Sequence, residues 1–178
     1  MTTTSTSRLT RYDRAMLRLM NRGEGRALYA TAARRRGVVA VHVALTLALG
    51  GLLLYVYLAE EGQWWAVAPM AVLLLGWCVC TGVINSATRG LLELRERALD
   101  ERQLAERTRV QARAHWTMTL LLLTVSVVLL VAGAVRGHAP TAYAAPVLIA
   151  VLVTHWLMPL WVAGLMAGDE PDDEPLGV

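Results

Sequence analysis

The sequence predicts an all-α protein, a four-span transmembrane helical bundle, on three observations. Apolar residues make up 56% of its 178 positions, the charges fall in blocks, and four long stretches carry no charge. These stretches are 38–58, 64–84, 117–135 and 143–167. At 1.5 Å per residue the first covers about 31 Å, enough to cross a hydrocarbon layer of about 30 Å. A large soluble core would need far more amphipathic surface helix than this chain has.

Orientation follows from arginine. All 17 basic residues are Arg. Nine precede the first span, at 8, 11, 14, 18, 22, 26, 34, 35 and 36, and seven lie between spans two and three, at 89, 95, 97, 102, 107, 109 and 113. The loop at 59–63 has none and the loop at 136–142 has one. The positive-inside rule therefore expects a multi-pass protein of the cell membrane with both termini and the central segment cytoplasmic. Trp64, Trp65 and Tyr143 then fall at the outer boundary and Trp116 at the inner one, where amphipathic rings belong. The triplet Arg34–Arg36 ahead of an apolar run has the form of an export signal. The run is longer than a signal core and no large exported domain follows, so the first span is expected to be retained.

The N-terminal segment 1–37 contains a basic amphipathic helix at 8–22. At 100° per residue Leu9, Tyr12, Met16, Leu19 and Met20 share one face, opposite Arg8, Arg11, Arg14, Arg18 and Arg22. That pattern suits an anionic membrane surface, and Arg34, Arg35 and Arg36 extend the basic set toward the first span. No nucleic-acid reader fold accompanies it, so lipid headgroups, not nucleic acid, are the expected partner. The acidic stretch within 168–178 reads as a disordered tail.

Between spans two and three the chain must reverse. Asp100 is a favoured N-cap with Gln103 as its capping-box partner, and Leu99 and Leu104 stand as a hydrophobic staple. A helix is therefore expected to start at Asp100. Before it, either Gly90 ends span two at a C′ position, or span two continues and 85–116 projects as a charged helical hairpin. Arg89, Glu93, Arg97 and Glu101 form an i,i+4 ladder that favours the hairpin. Leu91, Leu94, Ala98, Ala105 and Ala112 add a weak coiled-coil spacing. The expected partner-binding set is Leu91, Leu94, Arg97, Leu99 and Glu101, facing a membrane protein partner or a second copy of the chain.

No Asp, Glu or Arg lies within a span, which counts against a proton-coupled transporter. His42 and His155 raise a bis-histidine cofactor, but they lie at different depths. Cys78 and Cys80 point about 200° apart on a helix and cannot share a metal. These residues, with Thr46, Thr81, Asn85, Thr124, Ser126 and Thr154, read as helix-packing polar groups. No nucleophile with a base and no phosphate loop appears, so neither catalytic residues nor a cofactor is expected. Ala40, Ala44, Ala48 and Gly51 form a small-residue stripe expected to bring helices close. Pro69, Pro146 and Pro159 are expected to bend spans two and four.

The run Leu99-Asp100-Glu101-Arg102-Gln103, set before a span and followed by Arg-rich helix, resembles a motif in small uncharacterised actinobacterial multi-pass membrane proteins. A chain with no Lys and no Phe fits the GC-rich genome of such an organism. The resemblance implies an integral membrane protein and carries over no catalytic residue. The expected function is a non-catalytic accessory, scaffolding or regulatory component acting through Arg-rich cytoplasmic helices, with a small transporter or channel subunit as the alternative.

Overall fold

The computed structural model describes residues 10–20, 26–59, 62–96, 99–136 and 144–168. In order these form α1 (Arg11–Met20), a single turn α2 (Arg26–Tyr29), α3 (Ala32–Leu58), a 3₁₀ turn (Trp64–Ala66), α4 (Val67–Ala87), α5 (Glu101–Arg136) and α6 (Ala144–Met166). No strand occurs among the described residues. The four helices α3 to α6 contain stretches long and apolar enough to cross a membrane. They pair as two antiparallel hairpins, α3 on α4 and α5 on α6, and α6 joins the two by crossing α3 and α4.

At several helix ends a nearby side chain or turn supplies a partner for the free backbone groups. Thr31 caps α3, its hydroxyl accepting from the Arg34 N–H at 3.3 Å. At the start of α1, Asp13 Oδ2 accepts from the Thr10 N–H at 2.9 Å and Thr10 Oγ1 from the Asp13 N–H at 3.2 Å. This is a capping box with Asp in the acceptor role. Asp100 and Gln103 make the same reciprocal pair at α5. The Gln103 N–H donates to Asp100 Oδ1 at 2.7 Å and the Asp100 N–H to Gln103 Oε1 at 3.0 Å.

Helix α4 stops in a Schellman turn. The Gly90 N–H donates to Asn85 O at 2.9 Å and the Arg89 N–H to Ser86 O at 3.1 Å. The C′ residue is Arg89, with φ 52°, and Gly90 follows at φ 69°. A left-handed arginine costs roughly 1–2 kcal/mol, which the two bonds offset. The projecting hairpin therefore does not form, and with it go the coiled-coil spacing and the ladder through Arg89 and Glu93. Residues 91–96 are turns, not a helical arm. Leu91 instead enters a core with Val110, Ala114, Met118, Met158, Val162 and Ala163. The Arg107 guanidinium donates to Leu94 O at 3.0 Å and ties the connection to α5.

Two of the three prolines also act differently from expectation. Pro69 and Pro146 sit in the first turns of α4 and α6, where an N–H would have no helical acceptor, so they do not break their helices. Pro159 lies inside α6 and removes the donor for the His155 carbonyl.

Burial is concentrated at one end of the bundle. Val39, His42, Ile84, Leu91, Leu94, Leu99, Val110, Ala114, Met118 and the α6 residues from Leu157 to Ala163 supply it. Among the described residues from 119 to 156 none is buried. Helix α6 approaches α3 and α4 closely at Gly164, where a Cβ would stand 2.9 Å from Val39 Cγ2 and 3.0 Å from Ile84 Cγ2. The stripe Ala40, Ala44, Ala48 and Gly51 does not serve this purpose. All four residues are exposed, and a Cβ at Gly51 would meet nothing within 4 Å.

Two outcomes follow. Gly164→Ala should destabilise the protein by about 1–3 kcal/mol in thermal unfolding, while Gly51→Ala should be neutral or better. Equal effects would mean that α6 does not meet α3 and α4 at Gly164. Asp100→Ala should cost about 1 kcal/mol and speed amide exchange over residues 101–104, with Asp100→Asn retaining most of the protection.

Candidate functional site

Two of the span threonines, Thr46 and Thr81, and two tryptophans, Trp77 and Trp161, converge on His42, which is fully buried on α3. Its position is fixed from three helices. The Trp161 indole N–H of α6 donates to Nδ1 at 2.8 Å, and Nε2 lies 2.9 Å from Thr81 Oγ1 of α4. An indole nitrogen can only donate, so Nδ1 accepts and Nε2 carries the proton. Nε2–H then donates to Thr81, whose own hydroxyl donates to Trp77 O at 2.9 Å. A second path closes the circuit between α3 and α4. The Trp77 indole donates to Thr46 Oγ1 at 3.0 Å, and Thr46 donates to His42 O at 2.8 Å. The imidazole also packs against Trp77, with ring centroids 4.9 Å apart, and stands edge-on to Trp161 at 6.1 Å.

Chemically this is a neutral imidazole with both nitrogens committed. The two threonine hydroxyls end the circuit on backbone carbonyls, His42 O and Trp77 O, and no buried side-chain polar atom among the described residues lacks a partner. The Nδ1 lone pair is taken by Trp161, so the ring as placed offers no ligand to a metal or haem. His155 does not join it: it is exposed on α6. Cys78 is exposed and Cys80 half-buried on α4. No group of three or more metal-binding side chains occurs among the described residues.

At the same end of the bundle a buried arginine performs a second closure. Arg35 Nη2 donates to Ala167 O at 2.8 Å, just past the end of α6, and Nη1 to Tyr29 O at 3.1 Å. A cation at a helix C-terminus meets the negative end of the helix dipole and the last unsatisfied carbonyls. Arg35 thus departs from the membrane-surface role expected of its triplet: it is 5% exposed and turned inward. Arg34 and Arg36 are exposed, as are Arg11, Arg14 and Arg18 on α1, while Arg8 and Arg22 lie outside the described residues. Helix α1 is tied to the α4–α5 connection through Arg95, whose guanidinium stands 5.3 Å from the Tyr12 ring centroid. Asp13, within 60° of Met16 around α1, is buried, so the chain itself covers part of the face expected to meet lipid.

The leucines expected to receive a partner are likewise taken up inside the chain. Leu91, Leu94 and Leu99 are all buried, which removes them as an exposed apolar stripe. Glu101 is exposed, and the Arg97 side chain lies outside the described residues.

The sequence reading missed Trp77 and Trp161 as partners of His42, and Arg35 as an inward clamp. A signal for the first existed: His42 and Thr46, and Trp77 and Thr81, are each four apart and share a helix face. Nothing in the sequence marks Trp161 or the Ala167 carbonyl.

No protein-family model matches the chain, and neither a curated protein nor a solved structure does.

Trp161→Phe keeps the ring but deletes the donor to Nδ1. It should cost about 0.5–1.5 kcal/mol in detergent unfolding, and Thr81→Val a similar amount. His42→Ala should exceed both, since it also opens a cavity. Combined with His42→Ala, Trp161→Phe should add less than it does alone, and full additivity would refute the coupling.

Proposed function

We propose that the protein is a non-catalytic accessory, scaffolding or regulatory component of the cell membrane, acting through the Arg-rich surface at one end of its bundle. The observation that carries this reading is that the rigid end and the basic end coincide. The packing around His42, Gly164 and Leu91 lies at the end where α3 begins and α4 and α6 finish. Exposed Arg34 and Arg36 stand there, with Arg89, Arg95, Arg102, Arg109 and Arg113 on and around the α4–α5 connection. A preorganised surface loses less entropy when a partner binds, and arginine suits carboxylate, phosphate and lipid headgroup recognition. The satisfied His42 circuit supports the same reading, because both nitrogens of that buried ring are committed and neither is free to carry a proton or coordinate a solute.

In this reading the basic end is cytoplasmic, on the distribution of arginine between the segments. An alkaline phosphatase reporter fused after Val178 should be inactive, and one inserted at Gln63 active. The reverse pattern overturns the orientation. A photo-crosslinking residue at Arg18 should give a discrete adduct in native membranes, and one at Gln63 none. Absence of any adduct, together with solute movement by the pure protein in liposomes, would replace this reading with a transporter or channel subunit.

A further inference from the structure

Helix α5 is one unbroken element of 36 residues, so at 1.5 Å per residue it runs about 54 Å, longer than a hydrocarbon layer of about 30 Å. Its inner face is occupied: Val110, Ala114 and Met118 are buried against α6 and Leu91. A different face is exposed along its whole length. Arg109, Arg113, Trp116, Leu120, Leu123 and Val127 fall within an arc of about 80° at 100° per residue, and all six are exposed. Read from the connection toward the membrane, this stripe passes from cation to aromatic ring to aliphatic chain.

We propose that this stripe is a binding site for a single anionic phospholipid, with the phosphate between Arg109 and Arg113, the glycerol region beside Trp116 and an acyl chain along Leu120, Leu123 and Val127. The dimensions agree. Arg113 stands about 4.5 Å along the helix from Trp116, the spacing of a phosphate from the hydrocarbon boundary where an indole settles. Trp116 to Val127 spans about 16 Å, against about 15 Å for the hydrocarbon of one leaflet. Trp116 is 68% exposed, which leaves its ring free to meet the lipid. The charge selects the headgroup. Arg113 has no acidic residue within four positions on either side, and the nearest on α5 is Glu106, seven positions back. Glu106 also lies one turn above Arg109, at the edge of the stripe and half-buried, so it offsets Arg102 and part of Arg109 but not Arg113. Two guanidiniums a helical turn apart offer forked donors to phosphate oxygens, which a zwitterionic headgroup masks with its own cation. This lipid site is independent of the accessory, scaffolding or regulatory role and of which end is cytoplasmic.

The test uses the full chain in phosphatidylcholine vesicles, both leaflets alike, containing a minor fraction of brominated phosphatidylglycerol or brominated phosphatidylcholine. Bromine quenches indole fluorescence at contact, and the Trp116 contribution is taken as the difference from Trp116→Phe. Phosphatidylglycerol should be preferred by about fivefold per arginine, so about 25-fold for the pair if the two act independently. The preference should fall to near unity in R109Q/R113Q and persist in R11Q/R14Q. Equal quenching by the two lipids overturns the proposal, as does a preference that survives R109Q/R113Q. Inorganic phosphate at constant ionic strength should leave the preference intact. If it abolishes it, the arginines form a free-anion site and no lipid site.

Discussion

The hydrogen bond from the Trp161 indole to His42 Nδ1 joins the second pair of membrane helices to the first, and much of the fold follows from it. Hydrocarbon offers no hydrogen-bond partner, so an imidazole in a span must be satisfied by protein or carry a penalty of several kcal/mol. Satisfying both nitrogens of His42 requires α4 on one side and α6 on the other. That requirement sets the rotation of three helices about their axes. With the helices so turned, Gly164 meets Val39 and Ile84, where no larger residue fits without a shift. Leu157 and Leu160 of α6 then lie in the cluster that holds Val39 and Ile84.

The four spans were legible because a membrane span is a length of chain without charge, and length and charge are visible in the residues themselves. The start of α5 was legible for a comparable reason, since Asp100 and Gln103 are three apart and their bonds are local. What could not be read was which side of each span faces protein. Lipid tails are as apolar as leucine, so hydropathy gives no inward direction, and the stripe Ala40–Gly51 resembles an interface whichever way it points. The same limit applied to Leu91, Leu94 and Leu99. Three leucines beside charged residues indicate an amphipathic surface, but whether another part of the chain covers it depends on contacts far along the sequence. Arg35 was read as one of three equivalent cations, because a backbone carbonyl at a helix end has no signature in the sequence.

The two ends of the bundle differ in their chemistry. At the basic end, reciprocal caps, a Schellman turn, the Arg107 bond to Leu94 O and the Arg35 bonds to Tyr29 O and Ala167 O hold the backbone ends. At the other end the contacts are lighter. The Tyr55 and Trp65 rings lie 6.0 Å apart, Trp65 donates to Gln63, and among the described residues there Ala66 is buried. Local opening free energies follow the density of buried contacts, so the halves of α5 and α6 away from the α4–α5 connection belong to the low-stability part of the molecule. Among the described residues, that lightly packed end holds one arginine, Arg136, at the end of α5.

The placement of the Arg35 and His42 partners also sets an order of events in synthesis. Ala167 lies 132 residues after Arg35, and Trp161 lies 119 after His42. At about 5–20 residues per second, the α3–α4 pair waits on the order of ten seconds in the membrane before α6 emerges. During that interval it can be no more than a provisional hairpin, without the donor to His42 Nδ1 and without the carbonyl that closes α6 against α3. Helix α6 therefore completes the polar contacts of α3. A chain that stops before α6 lacks the indole donor to His42 Nδ1, which leaves a buried ring nitrogen in the membrane without that partner.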